Sequence, residues 1–263
     1  MRVRRFERNI LYTIITFGLL IRIYHLYKWR IWGSDSGEYL YLTRYLVKHG
    51  QMLTENYIGW GRAYPDFQGM QLLTGSISLI TGISYHETLL WFIPLIAGLS
   101  VPMLFILGKK MVGFKAALFG SAFYSVTFAV VYANSHPMPG SLAEPLSFTF
   151  IYAWIKSISD VNIKNKWNAI LIFSLAGMMI THHFTSLLMM ASVMGILCTE
   201  IGAGNKLIAK PSLIVLGLFS TLLAIYWLVY AISFREMLDE SAFAFLPENV
   251  PVLFVLLIIL LFN

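Results

Sequence analysis

Asp35 and Glu38 stand three residues apart in Ser34-Asp35-Ser36-Gly37-Glu38-Tyr39, directly after the first long apolar run. A carboxylate at the rim of an apolar segment costs solvation free energy unless it is paired or used. Two chemistries suit Asp35: general base and ligand to a hard divalent cation. The spacing Asp35-x-x-Glu38 is also that of a helix capping box. The two roles are compatible, because a cap fixes a carboxylate in place. A second polar segment, Asn134-Ser-His-Pro-Met-Pro-Gly-Ser-Leu-Ala-Glu-Pro145, brings His136 and Glu144, and Ser141-x-x-Glu144 repeats the capping spacing. Asp35, Glu144 and His136 together are candidate ligands for a divalent cation, Mg or Mn. His182-His183 is a third cluster. Adjacent residues on a helical turn point about 100° apart, so only one of the two can face a common site. Such a pair is either a satisfied polar turn or a contact for a phosphate at a helix N-terminus. Arg62 and Arg235 are further cations able to meet a phosphate, with anchoring at an interface as the alternative.

These residues need positioning, and the composition names the scaffold. Of 263 residues, 58% are hydrophobic and 12% charged. A soluble domain is about one-quarter charged, so the chain is predicted to be an all-α, polytopic integral membrane protein. Apolar runs fall at 9–27, 89–107, 116–133, 142–158, 167–181, 184–201, 213–232 and 250–262. No small-residue cleavage site follows the first run, which therefore reads as an uncleaved span. Arg22 and His25 near its far end are predicted to snorkel to the interface, which Trp29 and Trp32 mark. Residues 35–49 read as an amphipathic helix with Tyr39, Leu42, Leu46 and Val47 on one face, Arg44 and Lys48 on the other, and Gly50 as its stop. Residues 67–83 are apolar but short, and interleaved with Gln68, Gln71, Thr74, Ser76 and Ser78. The single cysteine, Cys198, excludes an internal disulfide.

Charge decides the topology. If 67–83 does not cross, the inner loops and their flanks hold twelve of the nineteen Lys and Arg and only Glu7, Asp160 and Glu200 among thirteen acids. The positive-inside rule then favours about eight transmembrane helices, a cytoplasmic N-terminus and a long outer loop, 28–88, carrying in-plane helices. As one helix, 168–201 would run roughly 50 Å at 1.5 Å per residue, too long for a ~30 Å apolar core. With basic residues at both ends it is predicted to fold back as a hairpin, the His pair at its outer turn. Asp35, Glu38, Arg62, Asp66, His136, Glu144, His182, His183 and Arg235 then share the extracytoplasmic side. Net charge +6 is explained by this orientation, without nucleic acid. The chain is read as a single module over 1–263, and its abrupt apolar end as that of a truncated or incomplete protein.

This order of motifs resembles the GT-C superfamily of integral membrane glycosyltransferases, which includes protein O-mannosyltransferases, aminoarabinose transferases and the catalytic subunit of oligosaccharyltransferase. The resemblance rests on four features. They are the acidic motif at 34–39 with its following helix; Ala63-Tyr64-Pro65-Asp66-Phe67-Gln68, similar to a Y-P-P segment leading into a second in-plane helix; the acidic loop ending in Glu144; and the outer His182-His183. The sequence departs from the pattern at Asp35-x-x-Glu38, where the acids are not adjacent, at Asp66 in place of the second proline, and at Glu144, which has no Asp beside it. The resemblance implies transfer of a sugar, with inversion, from a polyprenyl-phosphate donor to a lipid, glycan or protein acceptor. Asp35 would be the general base, Glu144 a second carboxylate, and His182, His183, Arg62 and Arg235 the groups that bind the donor phosphate. Glu38 and His136 would support them. The rival classes are a transporter or lipid flippase, in which polar residues should lie inside the spans, and a noncatalytic membrane scaffold.

Overall fold

The computed structural model describes residues 2–29, 33, 35–53, 57, 59, 61–159, 164–204 and 206–241. The expected span at 250–262, Trp32 and Ser34 lie outside the described residues. The order is α1 (Arg2–Trp29), α2 (Ser36–His49), a 3-10 turn at Tyr64–Asp66, α3 (Gly69–Thr81), α4 (Tyr85–Gly98), α5 (Ser100–Val112), α6 (Phe114–Val126), α7 (Phe128–Asn134), α8 (Pro139–Ser159), α9 (Lys164–Thr181), α10 (His183–Gly202), α11 (Lys206–Ile225), a π-helical turn at Tyr226–Tyr230 and α12 (Ile232–Ser241). No strand occurs among the described residues.

Three helical stretches are long and apolar enough to cross a bilayer: Tyr85–Val112, His183–Gly202 and Ser212–Tyr230. A fourth exists if the bent pair Phe114–Val126 and Phe128–Asn134 counts as one. This is fewer, among the described residues, than the eight predicted. The shortfall has a physical source. The apolar helix at Lys166–Thr181 is short, and α8 carries Pro145 within it as well as Glu144 and Lys156. The all-helical class stands among the described residues, with three or four candidate membrane-spanning helices; the full count does not follow from them.

The chain divides into two compact units, Met1–Glu55 with Phe67–Ser186, and Asn56–Asp66 with Leu187–Asn263. In the first unit, Leu89, Ile93, Ala97 and Val101 on α4 and α5, Phe150 and Ala153 on α8, and Leu175 and Met178 on α9 are fully buried. Leu99 at φ −65, ψ −15 keeps helical geometry between α4 and α5. Gly113, at φ 90, turns α5 back onto α6, where Gly108 allows an approach that a Cβ would close to 3.2 Å from Ala117 Cβ.

On two helices, α3 and α6, the buried face is inverted relative to a water-soluble bundle. On α3, Gln71, Thr74, Gly75 and Ser78 are buried while Leu79 and Ile80 are exposed. On α6, Ser121 and Ser125 are buried while Phe119 and Phe123 are exposed. Apolar outer faces with polar inner ones suit a hydrocarbon solvent. Thirteen residues give α3 a length of roughly 20 Å, short of the ~30 Å apolar core. The helix before it follows its sequence closely: α2 buries Tyr39, Leu42 and Leu46, exposes Arg44 and Lys48, and ends on left-handed Gly50, whose N–H donates to Leu46 O at 2.8 Å. Gly75 lets α3 lie close on α2, since a Cβ there would meet Leu46 Cδ2 at 2.8 Å.

In the second unit, Phe219, Leu223, Ala231 and Phe234 are buried. Asp66 links distant parts of this chain: its carboxylate accepts from Phe234 N–H at 2.8 Å, and Tyr226 Oη donates to Asp66 O.

Candidate functional site

The first unit joins three of the predicted polar segments edge to edge. After α1 the chain passes Gly33 at φ 100, a left-handed conformation that favours glycine. A Cβ at Gly33 would lie 3.0 Å from His136 Cδ2, so the backbone before Asp35 packs directly on the His136 ring. His136 is buried, 3% exposed, with Tyr132 edge-on to it at 5.2 Å between ring centroids. Burial lowers its pKa from the ordinary imidazole value, opposed by the Tyr132 backbone and by the charge of Asp35. The ring is therefore neutral at physiological pH, with a carboxylate in electrostatic reach.

Asp35 does not cap α2. It occupies the N-cap position at φ −95, ψ −7, and its side chain makes no cap hydrogen bond. An N-cap residue normally has extended backbone, which lets its side chain reach back to the first helical N–H groups. Asp35 instead starts the helix through its backbone O, which accepts from Tyr39 N–H at 3.1 Å, while Ser36 N–H bonds Gly33 O at 3.4 Å. The second capping box is also absent. Ser141 lies inside α8, and its hydroxyl donates to Ala133 O at 2.8 Å and to His136 O at 3.4 Å. Glu144 Oε2 accepts from Asn134 Nδ2 at 2.6 Å and from Ser100 Oγ at 3.1 Å.

One turn before Glu144, Gly140 faces His182. A Cβ on Gly140 would stand 3.4 Å from His182 Cε1. The chain changes helix at this histidine, as predicted: α9 ends at Thr181 and α10 begins at His183. His182 Nδ1 accepts from Thr185 N–H at 3.3 Å and lies 2.7 Å from Thr185 Oγ1. It thus caps α10, and the neutral ring carries its proton on Nε2. Burial, then the neighbouring His183, push the His182 pKa down to about 4. The His183 ring stands 5.4 Å from His182 and 4.9 Å from Phe67. Gly69 brings α3 against this corner, where a Cβ would lie 2.2 Å from Thr181 Oγ1.

Glu38 lies on the first turn of α2. Arg62 and Arg235 belong to the second unit; both are exposed, and Arg235 Nη1 donates to Leu228 O at 3.0 Å. Among the described residues, no three His, Cys, Asp or Glu side chains gather as a metal-holding group. Asp35, Glu144 and His136 are not gathered as such a group.

Arg22 departs from its predicted place. It does not snorkel to an interface but is fully buried, its Nη1 donating to Gly18 O at 2.7 Å and to Ser125 O at 3.4 Å. Sequence motifs also leave Ser100 unmarked, whose hydroxyl meets Glu144. The available signal was the arginine itself, a charge inside an apolar helix that needs a partner. No protein-family model and no curated protein matches the chain.

Proposed function

We propose that the first unit carries the site of a membrane glycosyltransferase that moves a sugar from a polyprenyl-phosphate donor to an acceptor hydroxyl on the extracytoplasmic face. The observation that carries the reading is Asp35: a carboxylate released from helix capping, in electrostatic reach of a buried neutral histidine. In the proposed step, an Asp35 oxygen takes the acceptor O–H proton while the acceptor oxygen bonds the anomeric carbon. The bond from that carbon to the phosphate oxygen breaks on the opposite face, with inversion, and its electron pair leaves with the phosphate. His182 Nε2–H donates to a phosphate oxygen as charge builds there. His183 is assigned to the same phosphate, and Glu38 and Glu144 to holding the loops. In this reading α2 and α3 lie at the membrane surface and the N-terminus faces the cytoplasm.

One observation favours transport of a lipid or polar solute as a second reading. Arg22 is buried within the helices, beside a helix pair bent by 64° at Thr127. Intramembrane charges and broken helices are typical of translocation pathways. Purified protein in vesicles with a labelled polyprenyl-phosphate sugar separates the two. Transfer abolished by Asp35→Asn, with melting temperature unchanged, supports the enzyme. Transfer retained in Asp35→Asn rejects that role, and label crossing the bilayer without transfer supports transport. Activity unaffected by chelator rejects a need for the divalent cation that the sequence suggests.

A further inference from the structure

The outer face of α2 carries a groove that neither capping nor the proposed transfer step uses. Tyr39, Leu42, Thr43 and Leu46 bury one side of the helix. On the other side, Tyr41, Arg44, Tyr45, Lys48 and His49 line a hollow of about 370 Å³. Positions 41, 44, 45 and 48 have the spacing of neighbours on a helix surface, so they form one stripe. Tyr41, Arg44, Lys48 and His49 are exposed. The Tyr45 and His49 rings lie 4.4 Å apart between centroids, tilted by 32°. No acid is among the described residues that line the hollow. Asp35 and Glu38 stand at the other end of the helix, at its N-cap and in its first turn. Arg44 and Lys48 make no hydrogen bond or ion pair among the described residues.

Cations in a last turn complement the helix dipole, which accounts for Lys48 and His49. It does not account for Arg44, one turn earlier, or for two tyrosines on the same stripe. Like charges four residues apart repel along a helix, and an anion held between Arg44 and Lys48 answers both. Lipid phosphate suits the chemistry and the setting. Lysine and arginine on an amphipathic surface helix attract anionic headgroups, and tyrosine, apolar in body and polar at its tip, is enriched at that depth. The neighbouring helix supplies the other half of a lipid's surroundings. α3, which Gly75 brings against Leu46 of α2, exposes Leu79 and Ile80. A cationic groove on one helix and exposed apolar side chains on the next match an acyl lipid with an anionic headgroup, and not a soluble polyanion.

We propose that the stripe of Tyr41, Arg44, Tyr45, Lys48 and His49 binds the phosphate headgroup of an anionic phospholipid, which seats α2 on the bilayer. The inference rests on the surface placement of α2 in the transferase reading, and its test needs no transfer.

Purified protein in detergent is melted with phosphatidylglycerol, with phosphatidylcholine, or with glycerol phosphate, which has the anionic phosphate without acyl chains. Native mass spectrometry counts the lipids bound. Phosphatidylglycerol should raise the melting temperature by on the order of 5 °C. The double variant Arg44→Gln, Lys48→Gln should weaken its binding on the order of twenty-fold, about fivefold for each cation removed, and lose the shift. Arg44→Lys, which keeps the charge, should hold most of it. Lys109→Gln with Lys110→Gln removes two exposed cations from the last turn of α5 and should leave it intact. Native-like binding by the Arg44, Lys48 variant, equal loss in the α5 variant, or an equal shift with phosphatidylcholine overturns the proposal. A shift reproduced by glycerol phosphate at the same concentration also overturns it, assigning the groove to a soluble phosphate. Absence of transfer activity would sink the enzyme reading and leave the lipid shift standing; loss of the shift with transfer intact would sink the lipid site alone.

Discussion

Gly69→Ala is the sharpest perturbation of the histidine corner. Gly69 begins α3, and a Cβ there would stand 2.2 Å from Thr181 Oγ1, 3.0 Å from Thr181 Cα and 3.1 Å from Ile180 Cγ1. Ordinary contact between heavy atoms lies near ~3.5 Å, so Thr181 must retreat by more than ~1 Å from the new methyl. Rotating its hydroxyl away sacrifices the hydrogen bond to Gly177 O, worth about 1 kcal/mol. The clash with the Thr181 backbone is not relieved by that rotation. Overpacking of this kind costs about 1–3 kcal/mol, giving a total of roughly 2–4 kcal/mol. For a chain of this size that is a fall in melting temperature of roughly 5–15 °C. The same retreat carries His182, the next residue, away from Gly140, so transfer should fall as well. Gly120→Ala is the matched control: it lies in α6 with no heavy atom within 4 Å of its added Cβ, and should gain up to about 1 kcal/mol of helix propensity. The assay is thermal unfolding by intrinsic fluorescence in one detergent. A Gly69→Ala protein that melts with the native one would refute the close packing of α3 on α9.

Asp66→Ala should cost about 1 kcal/mol, because the carboxylate serves the first-turn N–H of Phe234 on α12; Asp66→Asn, which keeps an acceptor, should not. Burial raises the Asp66 pKa above 3.8, against the opposing backbone bonds. The folded unit therefore binds that proton more tightly than the unfolded chain. Stability gained below 3.8 is lost as pH rises through the raised value, and Asp66→Asn should flatten that slope in pH-dependent melting. His182 has the opposite sign: its pKa drops from 6.5 to about 4, so the stability present above pH 6.5 is lost as pH falls towards 4. His136, also lowered by burial, adds in the same direction. His182→Gln should remove most of this acid-side loss; an NMR titration placing His182 near 6.5 in the folded protein would refute its burial.

Local signals carried α2 well, because an amphipathic period and a glycine stop are sequence-local properties, and the structure ends α2 on Gly50. The helix change at His182 was legible for a similar reason, since chain length against bilayer thickness demanded a break. Spans were less legible. Thr127, at φ −62, ψ 121, breaks the run predicted as one span at 116–133, and no glycine or proline marks the place. Arg22 escapes the snorkelling rule because snorkelling depends on which face of α1 it occupies. That face is set by Gly18 and Gly98, whose missing side chains open room for α1 against α4 and α6. Such long-range pairings leave no periodic trace. The same holds for Asp66 with Phe234, 168 residues apart.

The two capping boxes make the most instructive mismatch. Both have the right residues at the right spacing, and neither forms. At Glu144 the reason is competition: a buried Asn134 amide and a Ser100 hydroxyl take its carboxylate, while Ser141 already lies inside α8. At Asp35 the reason is backbone. Gly33 packs on the His136 ring, and Asp35 enters α2 at φ −95, ψ −7 in place of the extended backbone of a side-chain N-cap, and makes no cap hydrogen bond. Forgoing an N-cap costs about 1 kcal/mol, and consistent sequences break local rules of that size chiefly where a site requires it. Because α2 starts from the Asp35 backbone O and not from its carboxylate, Asp35→Asn should act on transfer and leave α2 formed.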